Sequence, residues 1–275
     1  MKDGLGLGDA YGETLRCIGA QGEKERLGII SLLGICYSER PLRVDELCQA
    51  LAVGIGSPDF NPHNVPPMST LIGCCQGLLI VDKEASSVRL THLSLKEYRC
   101  TRSDLFAGAH STIAETCLTY LNFQHVNDIP PTSISDLQHI PFLPYSSLCW
   151  GSHARRGLSN GAKSLAVNLF GQYSNRISAR VLMEDQSENP DPFVTLEDGF
   201  VFSGLHCASI FGIVELASPL IEMKGCDISQ RDSVGFTPLI HAVMNNHEEL
   251  VELLLAQGSI DSTRPDEFWG IQPLS

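Results

Sequence analysis

Near the C-terminus the chain repeats itself at an offset of 34 residues, and no other feature constrains its fold as tightly. Leu205-His206-Cys207-Ala208 lines up with Leu239-Ile240-His241-Ala242, and Leu216 and Leu220 line up with Leu250 and Leu254. Gly235-Phe236-Thr237-Pro238-Leu239 recurs weakly as Gly270-Ile271-Gln272-Pro273-Leu274. A period of this length marks stacked helix–turn–helix units. One unit cannot bury its apolar faces alone, so each predicts a neighbour.

The residues at each repeat position have physical reasons. Proline in Thr237-Pro238-Leu239 fits the first turn of a helix, where its missing N–H is not needed. Ala242 is small where neighbouring helices approach. Leu250, Leu253 and Leu254 bury a second helix, and Gly258 suits the left-handed cap that ends it. Thr-Pro-Leu-x-x-Ala followed by Leu-Val-Glu-Leu-Leu-Leu-x-x-Gly closely resembles the ankyrin-repeat consensus. The unit at 203–228 is more degenerate, with Ser203-Gly204 in place of Thr-Pro and Pro219 inside its second helix. Two repeats and a truncated third are expected over 201–275. They either pack back on the rest of the chain or belong to a truncated gene product. The resemblance implies a protein partner held on the concave face of the stack. Its contacts are expected near the repeat turns: Gln230, Arg231, Ser233 and Phe236, then Asp266, Glu267, Phe268 and Trp269. Exposed aromatic residues anchor interfaces, although Phe268-Trp269 would equally serve to cover the open end of the last repeat.

Upstream, the chain reads as mostly α. Residues 1–10, glycine-rich, are expected to be a disordered terminus. Leu27 to Leu33 is apolar nearly all round and predicts a buried helix. Val44, Leu47 and Leu51 recur at helical spacing, with Asp45 and Glu46 in the first turn where the helix dipole favours them. Met68, Leu71, Ile72 and Cys75 mark a third helix. Leu78 to Val81 and Val88 to His92 form a hairpin. Three helices and then a hairpin is the order of a winged helix, assigned to 11–100. A helical extension follows over 101–183, in which Thr112-Ile113-Ala114-Glu115 reads as a capping box. Residues 184–200, acidic and proline-containing, read as a linker.

Tyr11 to Leu15, Arg40 to Leu47, Val88 to Tyr98 and Cys117 to Leu121 together resemble the region that follows the nucleotide-binding NACHT domain in fungal STAND-type ankyrin proteins. In that family this region includes a winged helix labelled "GPI inositol-deacylase winged helix domain". The resemblance implies an intracellular signalling receptor with an upstream nucleotide switch. The switch itself would need Gly-x-x-x-x-Gly-Lys-Ser/Thr after a strand. The nearest run, Gly157 to Ser164, has Ala162 before Lys163 and follows a basic, polar stretch. No nucleotide or other cofactor is therefore expected on this chain.

Charge and cysteine usage narrow the partners. A net charge of −13 leaves Arg155-Arg156 as the tight basic pair, which disfavours phosphate backbones and anionic membranes. The ten cysteines include no Cys-x-x-Cys spacing and mostly sit among apolar residues, so they read as buried free thiols rather than zinc ligands. With no signal core and no run of membrane-spanning length, a cytoplasmic protein is expected.

Gly157-Leu158-Ser159-Asn160-Gly161 fits the nucleophile-elbow pattern, which needs an apolar strand before the serine and an Asp and a His after it. The basic segment upstream argues instead for a loop. A winged helix often reads DNA with its third helix, yet Met68 to Gln76 carries no Lys or Arg for the phosphate contacts. The sequence reading is thus a non-enzymatic interaction module. A hydrolase using Ser159 and a nucleic-acid-binding regulator are the alternatives.

Overall fold

A computed structural model describes residues 7–101, 108–131, 137, 139–186 and 200–257. Helix α1 (Leu7–Gly19) begins inside the stretch expected to fray. Tyr11, Leu15 and Ile18 recur at helical spacing and are buried, and this stripe holds the first turns against the rest. Helix α2 (Glu25–Tyr37) is apolar nearly all round, but only one side is core. Gly28 sits there because a Cβ would lie 2.9 Å from the Cys74 carbonyl oxygen. Leu27, Ile29 and Ile30 remain half-buried. Leu27 and Ile30 face a cavity of about 280 Å³ shared with Leu51, Ile55, Ile113 and Phe142. The expectation of a fully buried helix is corrected to that extent.

Strand β1 (Leu42–Arg43) leads directly into α3 (Val44–Ala52). Glu46 does more there than complement the dipole. Its carboxylate is 2% exposed, accepts the Arg43 N–H at 2.8 Å, and takes a two-pronged contact from Arg40 at 2.9 and 2.6 Å. Helix α4 (Met68–Cys74) follows, then β2 (Leu79–Asp82) and β3 (Ser87–Leu90). The three strands form one antiparallel sheet in the order β1-β3-β2, with Leu79 opposite Leu90 and Asp82 opposite Ser87. Val88 and Leu90 point inward while Arg89 points out, the alternation expected of a half-buried strand.

Helix α5 (Ser94–Thr101) returns to α1, where Tyr11 and Ser94 share a 2.7 Å hydrogen bond between hydroxyls. The middle of the molecule is helical: α6 (Ala109–Leu121), the short α7 (Gln124–Asn127), α8 (Phe142–Arg156), α9 (Asn160–Phe170) and α10 (Ile177–Gln186). The capping box at Thr112 is not formed. Ala109-His110-Ser111 add a turn ahead of it, Gly108 in a left-handed conformation starts the helix, and Glu115 instead receives the Ser159 hydroxyl. Helix α10 runs through Glu184 and Asp185 to Gln186, so the first residues assigned to the linker are helical; 187–199 lie outside the described residues.

Two helix pairs complete the described chain: α11 (Gly204–Phe211) with α12 (Val214–Glu222), and α13 (Pro238–Met244) with α14 (Glu248–Ala256). They pack back on the helical region. Phe211 lies against Trp150 with ring centroids 5.3 Å apart, and a Cβ on Gly151 would fall 2.0 Å from the Phe211 ring. Ser174 donates to the Phe202 carbonyl at 3.2 Å. One continuous apolar core therefore reaches from Tyr11 to Leu254. Seven of the cysteines are buried and all nine described ones are free, while Cys17 is exposed. Burial pushes the Cys75, Cys149 and Cys207 thiols up to about 12, which leaves them unreactive core residues.

Candidate protein-interaction surface

The turns between the two helix pairs are built from short side chains that satisfy backbone groups. Ser203 caps α11, and His206 ties this turn to the next. Its Nδ1 accepts the Ser203 N–H at 3.1 Å and its Nε2 donates to the Gln230 carbonyl at 3.0 Å. Burial holds the His206 imidazole down at about 4, so the ring stays neutral and both nitrogens keep these roles. Thr237 caps α13, with Pro238 in its first turn as the sequence predicts. Asp232 organises the second turn. One carboxylate oxygen accepts the Val234 and Phe236 N–H groups at 3.0 and 2.9 Å, and the other lies 2.7 Å from His241 Nε2.

The expected contact residues fall into this framework unequally. Gln230 is half-buried and its carbonyl is the acceptor for His206. Ser233 spends its hydroxyl on Val201, accepting from the N–H at 2.8 Å and donating to the carbonyl at 3.3 Å. Phe236 is half-buried with its ring edge against His241. Arg231 alone of the four is exposed, with one guanidinium N–H on the Gly235 carbonyl at 2.7 Å. Asp266, Glu267, Phe268 and Trp269 lie outside the described residues.

Among the exposed apolar residues not foreseen from sequence are two neighbours on one helix. Val243 and Met244, at the end of α13, are each 58% exposed. Their partners one repeat earlier are Ser209 and Ile210, 0% and 5% exposed. The first repeat's surface there is covered by the second, as His247 shows: its Nε2 donates to the Ile210 carbonyl at 2.8 Å. The same ring accepts from Arg155 on α8 at 3.1 Å through Nδ1. Periodicity could have located this face, but only by asking which repeat has a neighbour.

The remaining sequence candidates are structural. Ser159 is the N-cap of α9, accepting the Ala162 N–H at 2.9 Å, and its hydroxyl donates to Glu115; no histidine contacts it among the described residues. Both arginines of the basic pair are engaged inside the chain, Arg155 with His247 and Arg156 with Glu39. Among the described residues no helix is long and apolar enough to cross a membrane.

Comparison with known proteins agrees with the C-terminal geometry. Residues 172–266 match the family described as "Ankyrin repeats (3 copies)". The match begins upstream of the first repeat read from sequence and takes in α10. No solved structure matches the chain. A curated relative is the "Azaphilone pigments biosynthesis cluster protein L" of Monascus ruber, 25% identical over 267 residues and covering 84% of this chain. The chain spans 54% of that relative's length.

Proposed function

We propose that this chain is a non-enzymatic protein-interaction module that holds a partner protein on the exposed side of its second repeat. The observation that carries the reading is the pair Val243 and Met244, 58% exposed at the end of α13, in the same repeat as the exposed Arg231. Exposed apolar residues and an exposed cation in one repeat offer the composition of an interface centre and its rim. The N-terminal order of helix, strand, two helices and a two-stranded hairpin supports a winged helix acting as a packing unit, since α4 carries no Lys or Arg. An origin in a cytoplasmic NACHT-type ankyrin receptor rests on the sequence resemblance alone. The relative's printed name places it in a biosynthetic gene cluster, and a partner among the proteins of such a cluster is a natural first choice.

The test is affinity capture from the native host with the wild-type chain and with a Met244→Asp, Arg231→Glu variant. Proteins retained by the wild type should be lost from the variant while its circular dichroism and Tm stay unchanged. Identical captured proteins from both would sink this surface. Fluorophosphonate labelling of Ser159 in the folded chain would revive the hydrolase reading.

A further inference from the structure

The structure brings together three metal-ligating side chains that are far apart in sequence. Glu39 lies in the loop after α2, His110 in the first turn of α6, and His153 on α8. One potential ligand atom from each falls within 4.8 Å of the others. The two imidazoles face each other through Nδ1 at 2.9 Å. His153 is completely buried. The Tyr145 hydroxyl lies 3.0 Å from its Nε2 and accepts the Glu39 N–H at 3.3 Å. A histidine whose second nitrogen is fixed by an oxygen partner is the usual outer-shell arrangement around a metal. The Tyr37 ring stands edge-on to His110, with centroids 5.2 Å apart.

We propose that Glu39, His110 and His153 form a binding site for one borderline transition-metal ion of the zinc class, which pins the N-terminal unit to the helical bundle. Two imidazole nitrogens and one carboxylate oxygen are the donor set of zinc or cobalt rather than magnesium or calcium, and a water completes the coordination. Bonds of about 2.0–2.1 Å place tetrahedral ligand atoms roughly 3.3 Å apart. The histidine Nδ1 atoms need to part by a few tenths of an ångström, and the Glu39 carboxylate, which lies 3.9 Å from His153 Nε2, needs to swing to the Nδ1 side. Both Nδ1 lone pairs must face the ion. The proton now shared between them moves to an Nε2, which on His153 donates to the Tyr145 oxygen. Arg156 is the competitor, because its guanidinium is paired with the Glu39 carboxylate. Binding exchanges that cation for the metal.

The experiment uses the full chain carrying Cys17→Ser, which removes the exposed thiol. Co²⁺ is followed by its visible d–d bands and Zn²⁺ by displacement of cobalt and by Tm. One Co²⁺ per chain should bind, and Zn²⁺ should raise the Tm. His110→Ala and Glu39→Gln change residues that are not fully buried, and circular dichroism checks that each variant is folded; each should weaken affinity at least tenfold and reduce the Tm rise. Arg156→Gln should tighten binding. The site is disproved if no cobalt bands appear, if the spectrum carries thiolate-to-cobalt charge transfer, if His110→Ala binds like the parent chain, or if Arg156→Gln weakens binding.

Discussion

The two ankyrin repeats carry nearly the same pattern, yet they are buried very differently. Every residue of α11, from Gly204 to Phe211, is buried. In α13, at the same repeat position, only Pro238, His241 and Ala242 are buried. The first repeat lies between α8 and the second repeat, while the second has a neighbour on one side only among the described residues. Burial in a repeat protein is therefore a property of position in the stack and not of the repeat motif. Residues that would be core in one unit become an apolar surface in the next, the surface proposed above to hold a partner.

The largest effect should come from truncating equivalent residues in the two repeats. Ile210→Ala removes a buried side chain and should cost roughly 2–5 kcal/mol, whereas Met244→Ala should stay within about 0.5 kcal/mol. Urea unfolding of both variants measures the difference, and equal losses would mean that the second repeat is covered too. Acid comes next. The neutral form of His206 is favoured in the folded chain, so the unfolded chain binds the extra proton between about pH 6.5 and pH 4. Its contribution is fully present above the unfolded value and is lost as the pH falls towards 4, by about 3 kcal/mol at the limit. His206→Gln should flatten that slope, and an unchanged slope would place the acid sensitivity outside the first repeat.

Gly212 and Asn246 occupy the same position in the two turns, with φ of 68° and 58°. A Cβ on Gly212 would meet the His247 ring at 2.5 Å, so Gly212→Ala should cost about 2 kcal/mol or more. Asn246→Gly relieves a left-handed non-glycine residue and should be neutral or stabilising by about 1 kcal/mol. Thermal melts would show the opposite signs, and matching signs would mean the two turns are not equivalent. The smallest effect is expected from Arg155→Ala at the seam between α8 and the repeats. The pair with His247 is partly solvated, and its loss should cost less than about 1 kcal/mol. A much larger loss would make the seam, rather than the apolar core around Phe211, the main attachment of the stack.

Local chemistry was legible in the amino-acid order. Thr237-Pro238 had to start a helix, Leu250 and Leu254 had to be buried, and the alternation at Val88 and Leu90 had to be a half-buried strand, because each depends on residues a few positions apart. Other readings failed where a distant segment intervened. Thr112-Ile113-Ala114-Glu115 has the form of a capping box, but the preceding residues extend α6 and Ser159 claims Glu115. Ser233 has the look of a free contact residue at a turn tip, but Val201 consumes its hydroxyl. Long-range packing encloses the first repeat, docks Phe211 on Gly151, and brings Glu39, His110 and His153 together. Those facts depend on pairs of segments brought together by packing, and apolar burial is non-directional, so no short stretch of sequence encodes them.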